Sequence, residues 1–179
     1  GRNHELGIKG EWADGRLNGA LALYRLERQD EAVQVPGSNW PCCYLAEGET
    51  ISQGVDLELT GALTEQWNLS AGYSYNDNET RQTGKPFNTV TPRHLFKLWS
   101  SYTLADWKFG GGFNRQSDFI SYNQSLPAYS VASAFVEYAI SPQLNLALNI
   151  GNLTDRTYFQ TRGWYGEPRS FSMTLRGQF

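Results

Sequence analysis

The amino-acid sequence predicts an all-β fold, an antiparallel transmembrane β-barrel to which this chain contributes about nine strands. Two observations favour this class. Apolar and polar residues alternate with a period of two along most of the chain, and short turns alternate with long polar loops. The composition agrees, because 14% of the residues are aromatic and only 18% are charged, below the share of about a quarter in globular proteins.

The first four strands are predicted at 3–12, 17–29, 55–60 and 67–76. The apolar positions of the third and fourth strands are Val55, Leu57, Leu59, Leu69, Ala71, Tyr73 and Tyr75. The polar or small residues between them are Asp56, Glu58, Thr60, Asn68, Ser70, Gly72, Ser74 and Asn76. Since successive side chains of a strand point to opposite faces, each of these strands has one apolar and one polar face.

The last five strands are predicted at 94–104, 107–117, 127–140, 144–151 and 170–179. The final strand has the clearest pattern, with Phe171, Met173, Leu175, Gly177 and Phe179 on one parity. The other parity holds Ser170, Ser172, Thr174, Arg176 and Gln178. The pattern indicates one face towards hydrocarbon and one towards water.

The connections between these strands fall into two classes. Short turns are expected at 13–16, 64–66, 105–106 and 141–143, and long polar loops at 30–50, 78–93, 118–126 and 154–168. Short periplasmic turns and long external loops are typical of outer-membrane barrels. A mean hydropathy of -0.52 does not contradict this, because only every second residue of such a strand faces lipid.

Charged and aromatic residues favour a barrel over its alternative, a soluble β-sandwich binding module. Charged side chains lie on the polar parity, where a watery lumen solvates them and a dry core does not: Asp56, Glu58, Lys97, Lys108 and Arg176. Large rings lie near strand ends, as in the aromatic girdles of barrels: Trp12, Trp67, Tyr75, Trp107 and Tyr138. In a sandwich these rings would form the core.

Several function classes are disfavoured. A net charge of -3 provides no basic patch for nucleic acid. The adjacent Cys42 and Cys43 lack the spacing of a metal site, and we expect either a vicinal disulfide or a loop-tip pair in an oxidising compartment. His4 and His94 are distant in sequence and no residue stands out as a nucleophile, so the chain is not expected to be an enzyme.

Strand counting predicts that the chain is a fragment. If Phe179 lies on the periplasmic side, nine strands place Gly1 on the external side. A complete bacterial barrel has an even number of strands and both ends in the periplasm. We therefore expect further strands upstream of residue 1.

Seven motifs, in this order, resemble the C-terminal third of TonB-dependent ferric-siderophore receptors. They are ELGIKGE at 5–11, DGRLN at 14–18, GVDLEL at 54–59, WNLSAGYSY at 67–75, TPRHLFKLW at 91–99, NIGNLTDRTYF at 149–159 and YGEPR at 165–169. The resemblance implies a 22-stranded barrel filled by an N-terminal plug that carries the TonB-contacting segment. Residues 1–179 would be the C-terminal part of this barrel, and the plug and the upstream strands would be absent from the chain.

The implied function is import of a ferric siderophore across the bacterial outer membrane, energised through TonB. Expected partners are the ferric siderophore, the TonB complex, outer-membrane lipid and the barrel-assembly machinery, which would recognise the terminal Phe179. The alternatives are TonB-dependent uptake of cobalamin or haem, and a passive porin or adhesin barrel. Gly110–Gly112 lacks the Lys and Ser/Thr of a phosphate loop, and indicates a sharp bend or a close approach to the plug.

The ligand site is expected on the external loops, where rings can pack on a bulky chelate and donors can orient it. The candidates are Trp40, Tyr44, Phe159, Arg162, Trp164 and Tyr165. Alternatively, these residues pack loop against loop or belong to the external girdle. Because the siderophore itself holds the iron, neither a cofactor nor protein metal ligands are expected.

Overall fold

A computed structural model describes residues 1–35, 37, 43–81, 84, 91–122 and 124–178, which form β-strands, turns and loops. The thirteen strands are β1 (Arg2–Trp12), β2 (Leu17–Gln34), β3 (Tyr44–Ala62), β4 (Trp67–Thr80), β5 (His94–Leu104), β6 (Trp107–Gln116), β7 (Phe119–Ser121), β8 (Gln124–Leu126), β9 (Tyr129–Ser141), β10 (Leu144–Gly151), β11 (Phe159–Thr161), β12 (Trp164–Tyr165) and β13 (Ser170–Gly177). In this described part, no helix has the length and apolar character needed to cross a membrane.

Nine strands form one antiparallel sheet in the order β1-β2-β3-β4-β5-β6-β9-β10-β13. The remaining strands pair as two small hairpins, β7–β8 and β11–β12, which lie in the connections between sheet strands. The predicted all-β class and the nine strands are therefore confirmed. We call the edge with the short turns the turn rim and the opposite edge, where both hairpins lie, the loop rim.

The strand register places the alternating apolar residues on a single face of the sheet. Ile8 lies opposite Leu21, Leu21 opposite Leu57, and Leu57 opposite Tyr73. Directly opposite residues of an antiparallel pair point to the same face. The same face continues through β10 to β13, where Leu148 lies opposite Met173. We call it the apolar face and its reverse the polar face.

In the part of the chain that the structure describes, no second layer packs on the apolar face. Phe171 and Met173 are each 72% exposed, whereas a sandwich would bury them. Within the described ranges, only Ile51, Phe119 and Leu126 are buried hydrophobic residues, and all three lie towards the loop rim. The soluble sandwich is therefore wrong, and the exposed apolar face matches a lipid-facing barrel wall.

Aromatic rings line the turn rim on the apolar face, as the sequence predicts. Trp107 and Tyr138 lie opposite each other with ring centroids 4.6 Å apart. Trp12 lies next to the first turn, and its ring crosses Gly10 and Gly19, where an added Cβ would come within 3 Å of the ring. The two glycines thus make room for an indole at the predicted interface level.

The first long loop, predicted at 30–50, is shorter than expected because β2 and β3 extend into it. Instead of a loop over 30–50, these strands continue to Gln34 and start again at Tyr44, with register shifts around Glu31. Above Leu23 the apolar face carries Arg25 and Glu27, so the apolar alternation of β2 ends before the strand does. Arg25 donates a 2.9 Å hydrogen bond to the Glu27 carboxylate, which lowers the pKa of Glu27.

The other loops also contain more strand than predicted. β4 runs to Thr80, and the loops expected at 118–126 and 154–168 each contain a small hairpin. The last strand is described to Gly177, and Phe179 lies outside the described residues.

Gly110–Gly112 lies in β6, where pairing with both neighbouring strands continues without a register shift. A bulge is therefore absent from this described strand. On the polar face, Phe135 and Trp99 take up the space beside Gly110 and Gly112. These two rings stack with centroids 5.9 Å apart and planes 9° apart. An added Cβ would lie 2.1 Å from the Ser100 carbonyl oxygen at Gly110 and 2.2 Å from the Ser133 carbonyl oxygen at Gly111. The close approach made possible by these two glycines is thus to the backbones of the adjacent strands, and contact with a plug stays a prediction.

Candidate ligand-binding surface

The polar face forms a broad concavity of about 800 Å³ that contains charged residues. Lys9, Glu58 and Lys97 share one register line, with Ala20 and Gly72 on the strands between them. This spacing keeps the opposite charges two strands apart. Among the ion pairs of the described residues, none includes these three. Their charges therefore face the interior side of the wall without neutralising each other.

The β11–β12 hairpin carries four of the predicted ligand contacts. Its turn consists of Arg162 and Gly163, and Gly163 has a φ of 80°, which favours glycine. Phe159 and Tyr165 lie opposite each other with ring centroids 4.7 Å apart. Trp164 and Tyr165 are 72% and 65% exposed. The hairpin thus presents two rings and one guanidinium to solvent.

The neck of this loop is held by the amide of Asn152, which is 4% exposed. Its Nδ2 donates to the carbonyl oxygens of Arg156 at 2.9 Å and Glu167 at 3.0 Å. Its Oδ1 accepts from the backbone N of Arg156 at 2.9 Å. Asp155 adds a 3.0 Å bond from the backbone N of Arg169. These bonds fix both ends of a connection that is long in sequence.

Contacts with β9 and with the β7–β8 hairpin join this loop to the rest of the loop rim. Tyr158 packs on Tyr129 of β9 with ring centroids 4.4 Å apart. The β11–β12 hairpin also contacts the β7–β8 hairpin, where the Ser121 Oγ lies 2.6 Å from the Thr161 Oγ1. The exposed rings are therefore mounted on a packed support.

The structure brings together four of the six predicted site residues: Phe159, Arg162, Trp164 and Tyr165. Tyr44 is exposed, but it is the first residue of β3 and not a loop residue. Four strands separate β3 from β10 in the sheet, so Tyr44 occupies a different part of the loop rim. Trp40 lies outside the described residues, and ligand contact by all six stays a prediction.

Only one of the two cysteines predicted to pair lies within the described residues. Cys43 is disulfide-bonded, and Cys42 lies outside the described residues. A 2.9 Å hydrogen bond from the Val35 N to the Cys43 carbonyl oxygen closes the β2–β3 connection. The vicinal pairing itself stays a prediction.

Sequence reasoning missed two residues of this surface. Tyr122 is 66% exposed, and its carbonyl oxygen lies 3.5 Å from the Nη1 of Arg162. Ser121 is fully buried between the hairpins. Its position as an aromatic residue within the loop predicted at 118–126 could have marked Tyr122, but no local pattern distinguishes Ser121 from other loop serines.

The described ranges contain no group of three or more His, Cys, Asp or Glu residues that could hold a metal ion. His94 accepts or donates a 2.9 Å hydrogen bond with the Tyr73 hydroxyl. His4 lies on β1, opposite Arg25. The two histidines thus occupy separate strands with different neighbours.

Comparison with known families gives one match that covers most of the chain. The family described as TonB dependent receptor-like, beta-barrel matches residues 1–153. The matched part includes eight of the nine strands of the sheet. It ends before the β11–β12 hairpin.

Individual relatives match over the full chain. The ferric-pyoverdine BN7/BN8 receptor of Pseudomonas putida is 36% identical over 100% of this chain and 23% of its own length. The ferric-pyoverdine M114 receptor PbuA of Pseudomonas sp. (strain M114) is 33% identical over 100% of this chain and 24% of its own length. The chain thus spans about a quarter of these relatives.

Solved structures agree with the sequence relatives. The siderophore receptor PiuA from Acinetobacter baumannii superposes with a TM-score of 0.88 and 28% identity, covering 98% of this chain and 28% of that receptor. The nine-stranded sheet therefore has the fold of one portion of such a receptor barrel.

Proposed function

Because the chain belongs to the TonB-dependent receptor β-barrel family, an outer-membrane family of receptors and not of enzymes, we propose that its whole protein imports a ferric siderophore. The observation that carries the proposal is the match of the entire chain to receptors named for ferric pyoverdine, at 33% and 36% identity. Iron would arrive inside its chelate, so the proposal requires no cofactor.

In this proposal, residues 1–179 form the C-terminal part of a plugged barrel. The apolar face contacts outer-membrane lipid, the loop rim faces the outside, and the polar face lines the interior. A plug and further strands complete the receptor, and TonB energises transport through a segment of the plug. The barrel-assembly machinery recognises the C-terminal Phe179.

The unneutralised charges of the polar face support an occupied or watery interior. Lys9, Glu58 and Lys97 project from a wall whose intervening residues are small. Burying such charges without partners costs several kcal/mol each, roughly. They therefore require either water or complementary groups on a plug.

Ligand recognition is assigned to the exposed part of the β11–β12 hairpin. The rings of Trp164 and Tyr165 offer flat apolar area, and the Arg162 guanidinium offers donors and positive charge. This combination suits a bulky chelate that carries aromatic and anionic groups. Phe159 supports Tyr165 from the opposite strand, while Tyr44 and Trp40 would contact the ligand from another part of the loop rim.

Iron uptake by the full-length receptor tests this function. The gene would be expressed in an iron-starved strain that lacks its own copy, and uptake of radiolabelled iron from ferric pyoverdine would be measured. We expect the double variant Trp164→Ala/Tyr165→Ala to bind ferric pyoverdine at least about tenfold more weakly, because aromatic anchors commonly contribute more than 1 kcal/mol each, roughly. The control is Gln160→Ala, an exposed residue of β11.

The same strains distinguish the alternatives. Uptake of ferric pyoverdine that persists after deletion of TonB would indicate a passive porin. Growth supported by haem or cobalamin, but not by any ferric siderophore, would indicate that the receptor imports one of these nutrients instead. Either result would refute the proposed import of a ferric siderophore.

A further inference from the structure

Ser121 connects the two hairpins of the loop rim although its side chain does not reach solvent. It is 0% exposed, and its Oγ lies 2.6 Å from the Thr161 Oγ1. The same Oγ accepts a 3.2 Å hydrogen bond from the backbone N of Arg162. One hydroxyl thus contacts both the last residue of β11 and the first residue of its turn.

The surroundings of Ser121 keep water away from its hydroxyl. Phe119 and Leu126 lie opposite each other in the β7–β8 hairpin and are both buried. They form a small apolar core next to Ser121. A buried donor or acceptor that loses its partner pays its desolvation cost without compensation, so the contact resists opening to water.

The contact joins one connection to another and does not belong to the strand ladder of the wall. β7–β8 and β11–β12 are sheets separate from the nine-stranded sheet. Loss of the Ser121 hydroxyl should therefore leave the barrel strands paired. It should release the segment that carries Arg162, Trp164 and Tyr165.

We propose that Ser121 is a positioning residue for ligand recognition: through Thr161 and the backbone of Arg162, it holds the β11–β12 hairpin in the geometry that receives the chelate. The proposal rests on the proposed function. Side chains that are ordered before binding lose less entropy when the ligand arrives. Ser121 thereby contributes to affinity without contacting the ligand.

Two matched pairs of variants in the full-length receptor test this role. Ser121→Ala removes the hydroxyl, and Ser125→Ala removes an exposed hydroxyl from the same hairpin. Thr161→Val removes the other partner at similar size, whereas Thr161→Ser keeps the hydroxyl. We expect Ser121→Ala and Thr161→Val to bind ferric pyoverdine about tenfold more weakly, equivalent to about 1.4 kcal/mol, and both controls to bind like the wild type.

A double-mutant cycle separates positioning from general stability. If Ser121 acts through the rings, Ser121→Ala should cause no further loss of affinity in the Trp164→Ala/Tyr165→Ala background. A merely structural role would weaken binding equally in both backgrounds. That second result would overturn the proposal, as would wild-type affinity of Ser121→Ala.

Hydrogen exchange of the ligand-free receptor gives a readout that needs no ligand. Residues 158–166 should exchange faster in Ser121→Ala than in Ser125→Ala, while the strands of the wall keep their protection. Unchanged exchange would refute the coupling of the hairpins. If the wild-type receptor binds neither ferric pyoverdines nor ferric catecholates, the proposed function fails, and the exchange experiment still decides whether Ser121 positions the hairpin.

Discussion

Leu148→Arg tests whether the apolar face meets lipid. Leu148 is 47% exposed and lies between Val136 and Met173 on the apolar face. It is four residues from Leu144 at the turn rim, which places it roughly 10 Å up a tilted strand. The apolar band of such barrels is about 25 Å tall, so Leu148 lies near its middle.

An arginine near the bilayer midplane costs about 2–4 kcal/mol. At about 1.4 kcal/mol per factor of ten, the folding equilibrium constant should fall roughly 30- to 1,000-fold. The assay is reversible denaturant unfolding of the full-length receptor in lipid vesicles. Asn149→Arg is the matched control, because Asn149 is the next residue of the same strand and lies on the polar face.

Depth provides a second control. Leu104 lies on the apolar face at the turn rim, where it is paired with Trp107. Leu104→Arg should cost only about 0–1 kcal/mol, since the penalty decreases towards the interface. Equal losses of unfolding free energy for Leu148→Arg and Asn149→Arg would refute the assignment of the two faces. Equal losses for Leu148→Arg and Leu104→Arg would refute the placement of Leu148 near the middle of the membrane.

The remaining predictions concern β6 and the neck of the last loop. Gly110→Ala should destabilise the receptor by about 1–3 kcal/mol in the same unfolding assay, because the added Cβ would lie 2.1 Å from a backbone oxygen. Gly72→Ala, whose Cβ has its nearest neighbour at 3.9 Å, should be close to neutral; equal stability of both variants would contradict the observed packing. Asn152→Ala should accelerate tryptic cleavage after Arg162, because three hydrogen bonds at the neck are lost, and cleavage as slow as in the control Asn149→Ala would show that the amide does not hold the loop.

Much of the wall was predictable because successive side chains of a barrel strand face lipid and water in turn, and are therefore apolar and polar in turn. The Phe171, Met173 and Leu175 alternation predicts β13 and its apolar face without knowledge of its neighbours. The long reach of β2 and β3 was not predictable in this way. Above Leu23 the apolar face of β2 carries Arg25 and Glu27, so strand pairing continues after the apolar alternation has ended.

The candidate site was predictable in residue type and only partly in arrangement. Loop position and chemistry identify Arg162, Trp164 and Tyr165, and the structure places them on one hairpin. Tyr44 shares their chemistry but starts a strand elsewhere in the sheet. Ser121 escaped notice because its role depends on a contact 40 residues away in sequence, which no local pattern encodes.

The joined hairpins also determine how specificity can be transplanted between barrels of this kind. A chimaera that receives only residues 152–169 inherits Thr161 without the buried hydroxyl opposite it, and leaves Phe119 and Leu126 beside a foreign surface. Moving both connections together preserves that junction. The unit that can be exchanged is therefore a pair of segments distant in sequence, and diversification of one constrains the other.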